Sequence, residues 1–222
     1  MRLKSANFND VGTLLSGEFS AEWTEIETAI RGLPLCMKLS QQEGKEEELV
    51  FDPIATNRLI TDALVGLGWA KVRIPKKQAC YGKGIDFGKR SVLVEVQLSN
   101  YPFLTNNVVR ADVLRRSKTS LAGGVPDAIV IITKVGKLPS QNSSLYFEQA
   151  CDQMKLAEDV RLFEIPIRIV GLSEDAATRV HGKRTEYGGR TSRKVKKQQD
   201  VEFEVQAGKK ALSPYVIEVA AP

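Results

Sequence analysis

Histidine, cysteine and long hydrophobic runs are all scarce in this sequence. No apolar stretch is long enough to cross a bilayer, and Met1-Arg2-Leu3-Lys4 leads into polar residues where a signal peptide would carry an apolar core. The chain therefore reads as soluble and cytoplasmic, with no membrane partner. One histidine and three scattered cysteines (Cys36, Cys80, Cys151), with no CxxC, exclude a zinc site of ordinary spacing. The odd cysteine count points to free thiols in a reducing compartment. No internal repeat is visible. The 222 residues are enough for one domain, or one domain with an appendage, and for a sizeable core. A net charge of +5 permits a polyanionic partner without demanding one.

What is present is a dense stretch at residues 85 to 107, IDFGKRSVLVEVQLSNYPFLTNN. In a strand from Val92 to Leu98, Glu95 and Gln97 share a face with Leu93, while Val92, Val94, Val96 and Leu98 take the other and read as core. A turn signal at Gly88-Lys89 lies just upstream. If the chain doubles back there, Asp86 falls roughly diagonal to Glu95, within reach of a shared cation. Two carboxylates plus water make a hard-oxygen site of the kind Mg²⁺ prefers. The plainer alternative is a hairpin with solvated acids on its exposed face, since Asp and Glu are mostly surface residues.

Around this stretch, residues 21 to 33 place Trp23, Ile26, Ile30 and Leu33 at helical spacing, for packing or a subunit interface. Residues 40 to 48, SQQEGKEEE, read as an exposed loop. Asp52 at an N-cap and Pro53 in a first turn open a helix that carries Ile60, Leu64 and Leu67 to Gly68. Trp69 to Pro75 reads as extended. Asn106 to Ser120 reads as a helix with Val109, Val113 and Leu114 inward and Arg110, Arg115, Arg116 and Lys118 outward. Ala128 to Thr133 is an apolar run suited to a strand buried on both faces. Ser143 to Leu156 reads as a helix and Ile165 to Leu172 as a strand. This order argues for an α/β core with helices over a mixed central sheet. Composition shifts after Ser173, which divides the chain into a core at 1–173 and a β-rich appendage at 174–222. Basic residues dominate from Arg179 to Lys197 and include Arg190 and Arg193. That segment suits either phosphate contact or a solvated hairpin.

The runs IDFGKR, LVEVQ, SNYPFL and NN resemble the PD-(D/E)xK nucleases and, among them, the BglII-like type II restriction endonucleases. Further matches lie at LVFDP (49 to 53), ITK (132 to 134), NSSLY (142 to 146), EQA (148 to 150) and PIR-x-VGL (166 to 172), with drift from roughly residue 20 to 195. The resemblance implies a restriction-endonuclease-like fold. It also implies Mg²⁺-dependent hydrolysis of both strands of a palindromic DNA duplex containing GATC, with AGATCT the first choice and 5′ GATC overhangs. Asp86, Glu95 and the Val96 carbonyl would hold the metal, which would acidify a water and neutralise charge at the phosphate. Gln97 stands where the wider nuclease pattern has Lys. An amide cannot act as base, so it would only position water, and the proton would pass to a water network or a substrate phosphate.

For base reading, the resemblance implies Ser99 and Asn100 first, Asn142 and Ser143 second, then Arg110; Asn suits adenine and Arg guanine. For Asn142 and Ser143 the residues alone allow simple helix capping. Arg193 matches a family arginine, while Thr191 replaces a tyrosine and leaves the contacts near it open. A palindrome cut on both strands implies a homodimer, and a host carrying such an enzyme needs a cognate DNA methyltransferase. Two other functions are compatible with this fold: a non-catalytic sequence-specific DNA-binding protein, against which Asp86, Glu95 and Gln97 speak, and a structure-directed repair nuclease.

Overall fold

Strand pairing divides the chain between two mixed sheets. The structure is a computed structural model and describes residues 1–121, 123–141, 144–189, 192–209 and 213–221. The first sheet has six strands in the order β1 (Arg2–Phe8), β8 (Ile167–Ser173), β7 (Ala128–Lys134), β6 (Val92–Val96), β5 (Gly84–Lys89) and β4 (Ala70–Arg73). Strands β6, β7 and β8 are parallel, whereas β1, β5 and β4 run antiparallel to their neighbours. Parallel neighbours need long crossovers, and α4 (Phe103–Arg116) and α5 (Phe147–Asp159) supply them.

Helices cover both faces of this sheet, so β7 and β8 are buried throughout, as continuous apolar runs require. On one face Val92, Val94, Val130 and Ile132 join a core with Ile26 and Ile30 of α2 (Ser20–Arg31) and Ile60 and Leu64 of α3 (Pro53–Gly66). On the other, Leu93, Ile129 and Ile131 join a core with Leu104 and Val108 of α4 and Met154 of α5. The alternation expected of Val92 to Leu98 thus sorts its residues between two cores.

Asp52 caps α3 as its sequence position implied. Its Oδ1 accepts from the Ile54 and Ala55 amides at 3.0 and 3.1 Å, and Tyr187 donates its hydroxyl to Oδ2 at 2.7 Å. That last bond ties α3 to the second sheet. This sheet has the order β11 (Val216–Val219), β10 (Val195–Gln206), β9 (Thr178–Tyr187), β2 (Leu35–Leu39) and β3 (Leu49–Phe51). Strand β2 pairs with β9 in parallel. The C-terminal stretch is β-rich, and its sheet is completed by strands from residues 35–51.

Several local expectations need correction. The chain reverses at Arg90–Ser91, because Gly88 and Lys89 pair with Leu93 and Val92; Arg90 takes the left-handed conformation (φ 50°). Helix α4 begins at Phe103, ahead of Asn106, and its inward stripe is Leu104, Val108, Ala111 and Leu114, so the phase set on Val109 is off by one position. Its Arg110 is buried, where an outward arginine was expected. Helix α5 starts at Phe147, four residues beyond the expected Ser143.

Strand β7 ends on Lys134, which is 1% exposed. Its Nζ has no hydrogen-bond partner among the described residues and lies 4.4 Å from the centre of the Tyr146 ring and 6.0 Å from that of Phe51. Burial pushes its pKa down to about 7. A lysine whose folded pKa is lowered binds fewer protons in the fold than in the unfolded chain, so stability rises with pH between about 7 and the unfolded value of 10.5. Lys134→Met is expected to stabilise the protein by about 2 kcal/mol at pH 7, the scale of a desolvated polar group without a partner. The gain should shrink towards pH 10, as read by urea denaturation at several pH values. A loss of stability at pH 7 would show that the two rings compensate the buried ammonium in full.

Candidate active site and nucleic-acid interface

The β5–β6 pairing places the two acids. Phe87 opposes Val94, and Asp86 and Glu95 are the next residues beyond that pair on their two strands. Asp86 Oδ2 accepts the Val96 amide at 2.9 Å, which orients that carboxylate against the strand bearing Glu95. Glu95 is 6% exposed, so the solvated-hairpin alternative does not describe it. Burial, followed by the charge of Asp86, pushes the Glu95 carboxyl up to about 8, with Arg110 opposing both.

Arg110 reaches Glu95 from α4. Its Nη2 donates to Glu95 Oε1 and, at 3.0 Å, to Asn107 Oδ1. Its Nη1 donates to the Tyr81 carbonyl at 3.4 Å. Asn107, itself buried, donates its amide to Gln97 Oε1 at 3.2 Å. One asparagine therefore joins the carboxylate pair to Gln97. On the other side, the Gln97 amide donates to the Ser99 carbonyl and, at 3.2 Å, to that of Asn100. Asn100 adopts φ 56°, a left-handed conformation that Asn tolerates better than most residues. In this arrangement Gln97 shapes the turn that presents Ser99 and Asn100, both exposed.

Two facing carboxylates at one end of a strand pair suit a hard divalent cation, which would relieve the repulsion that raises the Glu95 carboxyl. Among the described residues no group of three or more His, Cys, Asp or Glu side chains could hold a metal ion. Further ligands to an ion here would have to be carbonyls or water, with the Val96 carbonyl the nearest in sequence.

Ser99 and Arg193 come together across an open pocket of about 480 Å³, which Val96, Asn57 and Arg58 also line. Arg58 Nη2 donates to the Arg193 carbonyl at 3.0 Å and so links α3 to the segment joining β9 and β10. Asn142, Ser143, Arg190 and Thr191 lie outside the described residues. Sequence reasoning missed Asn107 and Arg58. Asn107 sits three residues before Arg110, and with α4 phased on Leu104, Val108 and Ala111 that spacing puts both polar groups on the strand-facing side. Asn57 belongs to a further family match, TN at 56 to 57, whereas Arg58 carried no signal of its own. Among the described residues, no helix is long and apolar enough to cross a membrane.

Comparison with known proteins gives the family and the fold. Residues 4–172 match the family model of restriction endonucleases BglII/BglIII. The type II restriction enzyme BglII of Bacillus subtilis is 40% identical over 207 residues, covering 92% of each chain. The crystal structure of restriction endonuclease BglII complexed with a DNA 16-mer superposes with a TM-score of 0.93 at 36% identity, over 99% of this chain and 100% of that one. The structure of free BglII superposes with a TM-score of 0.76 at 33% identity, over the same shares. The conformation described here is thus nearer the DNA-complexed relative than the free one.

Proposed function

Since this chain belongs to the BglII/BglIII family of restriction endonucleases, we propose that it is a Mg²⁺-dependent enzyme that cuts both strands of AGATCT and leaves 5′ GATC overhangs. The observation that carries the reading is the pair Asp86 and Glu95, brought together at the end of the β5–β6 ladder, with Asp86 held by the Val96 amide. Asp86, Glu95 and the Val96 carbonyl would hold the metal. A divalent ion bound there supplies charge neutralisation at the scissile phosphate and an acidified water. Arg110 keeps the Glu95 carboxylate partnered and aligned in a buried position, where an unpaired charge would be costly. Gln97 holds the Ser99–Asn100 turn against α4 through Asn107, so the base-reading turn and the carboxylates share one hydrogen-bonded frame.

The palindrome and the cutting of both strands call for a homodimer with one site per protomer. Its surface would include the C-terminal end of α5 and the residues beyond it, where Leu156, Val160 and Leu162 are 69%, 71% and 55% exposed. Apolar side chains left uncovered in a cluster mark such contacts. The enzyme would act in the cytoplasm beside a cognate DNA methyltransferase. Ser99, Asn100, Asn142, Ser143, Arg190 and Arg193 are the proposed DNA contacts, and Arg110 supports them from beneath the site.

A digest of a long mapped duplex in Mg²⁺, with an EDTA control and sequencing of the ends, tests the whole reading. Discrete fragments ending in GATC are expected. Intact DNA together with a discrete gel shift would favour a non-catalytic DNA-binding protein. Asn142→Ala is expected to weaken cognate binding by about 1–3 kcal/mol, the discrimination carried by one good base contact, while leaving non-specific binding nearly unchanged. Titration of cognate and scrambled duplexes in Ca²⁺ checks this, and equal losses on both would assign Asn142 a structural role.

A further inference from the structure

Arg58 and Arg193 share the open pocket beside Val96 and Ser99, at the exit of the strand that carries Glu95. Both residues carry a positive charge, so an anion at that mouth is attracted to it. Arg58 is exposed, and among the described residues its one hydrogen bond is to the Arg193 carbonyl. Of the five N–H donors in a guanidinium, most therefore remain available. The first turn of α3 also lines the pocket, but Asp52 already occupies its Ile54 and Ala55 amides. The helix start is thus capped, and a positive group for an anion must come from a side chain. Asp62 lies in the same pocket and forms no ion pair with either arginine among the described residues.

We infer that Arg58 is a DNA-backbone contact of this enzyme, binding a phosphate near the scissile bond in the pocket between Ser99 and Arg193. The inference rests on the nuclease reading given above. A phosphate, not a base edge, is the ligand because the guanidinium is steadied by a main-chain carbonyl at the pocket rim, while the proposed base-reading positions are Ser99, Asn100, Asn142 and Ser143. The contact also gives the link from α3 to the β9–β10 segment a role: the carbonyl of Arg193 steadies Arg58 at the pocket beside Val96 and Ser99.

The test measures binding of cognate and scrambled duplexes in Ca²⁺ between 50 and 250 mM salt, roughly the range over which counterion release changes affinity most. Wild type, Arg58→Ala and Arg58→Lys are compared. Arg58→Ala is expected to lose affinity for both duplexes by a similar factor, about tenfold at low salt, and to lower the salt slope by about 1 per protomer. Arg58→Lys is expected to restore the slope, since it keeps the charge. A loss confined to the cognate duplex with an unchanged slope would overturn the inference and make Arg58 a base reader or a positioner of the hairpin. Unchanged binding in Arg58→Ala would overturn it outright. Melting curves of both variants establish that they are folded, as expected for an exposed side chain. Wild-type cleavage of the mapped duplex separates the two levels: without it the nuclease reading falls, whereas with it and an unchanged slope only the role of Arg58 falls.

Discussion

Asp86→Asn and Glu95→Gln are each expected to slow cleavage of the cognate hexamer by about 10³-fold or more, the scale lost when a group that stabilises charge in the transition state is removed. The two acids lie together at the end of the β5–β6 ladder, and each replacement would leave a single acid of the proposed metal site. Cognate binding in Ca²⁺ should stay within a few-fold, because neither residue lies in the Ser99–Asn100 turn proposed to read the bases. In Glu95→Gln the amide can still accept from Arg110, so the buried frame with Asn107 and Gln97 survives. Single-turnover cleavage measured beside a gel-shift titration separates the two effects. Wild-type cleavage in either variant would remove that residue from the site, and a parallel collapse of binding would show that its role is to hold the fold.

Millimolar Ca²⁺ is expected to raise the melting temperature of the wild-type protein and to leave that of Glu95→Gln almost unchanged. An ion that binds only the folded state at about 100 times its dissociation constant stabilises by about 2.7 kcal/mol. For a chain of this size that corresponds to about 5–10 °C. The driving force is the facing pair itself: Glu95 is buried against a second carboxylate, and Arg110 compensates only part of the cost. Scanning calorimetry with Ca²⁺ and with EDTA reads both shifts. An equal Ca²⁺ shift in wild type and variant would place the ion elsewhere.

Much of the scaffold was legible in the sequence. The apolar runs at 128 to 133 and 165 to 172 could only be buried strands, and the Asp52-Pro53 start of α3 announces itself through capping chemistry that acts over a few residues. The acids were legible as a pair because a hairpin is a local structure. Its reversal was placed two residues early because Gly88-Lys89 has turn chemistry but is held in β5 by cross-strand pairing. The inward phase of α4 was misjudged because Val108, Val109 and Val113 are equally apolar, and only the packed sheet selects Val108. Strands β2 and β3 escaped notice because their partners lie far along the chain, β2 beside β9 across more than a hundred residues.

The sequence by itself determined the α/β class, the acids Asp86 and Glu95, the substitution of Gln97 for the usual lysine, and the resemblance that led to a restriction endonuclease. Periodicity, capping and contiguous motifs report on neighbours in the chain, and these features are all of that kind. Only the tertiary structure decided that Arg110 turns inward to Glu95, that Asn107 joins the carboxylates to Gln97, and that Arg58 meets Arg193 beside Ser99. Each of these contacts joins separate elements: Arg110 and Asn107 pair where burial leaves their polar groups few other partners, whereas the exposed Arg58 meets Arg193 because the fold sets α3 beside the segment between β9 and β10. A one-dimensional pattern carries no signal for such contacts.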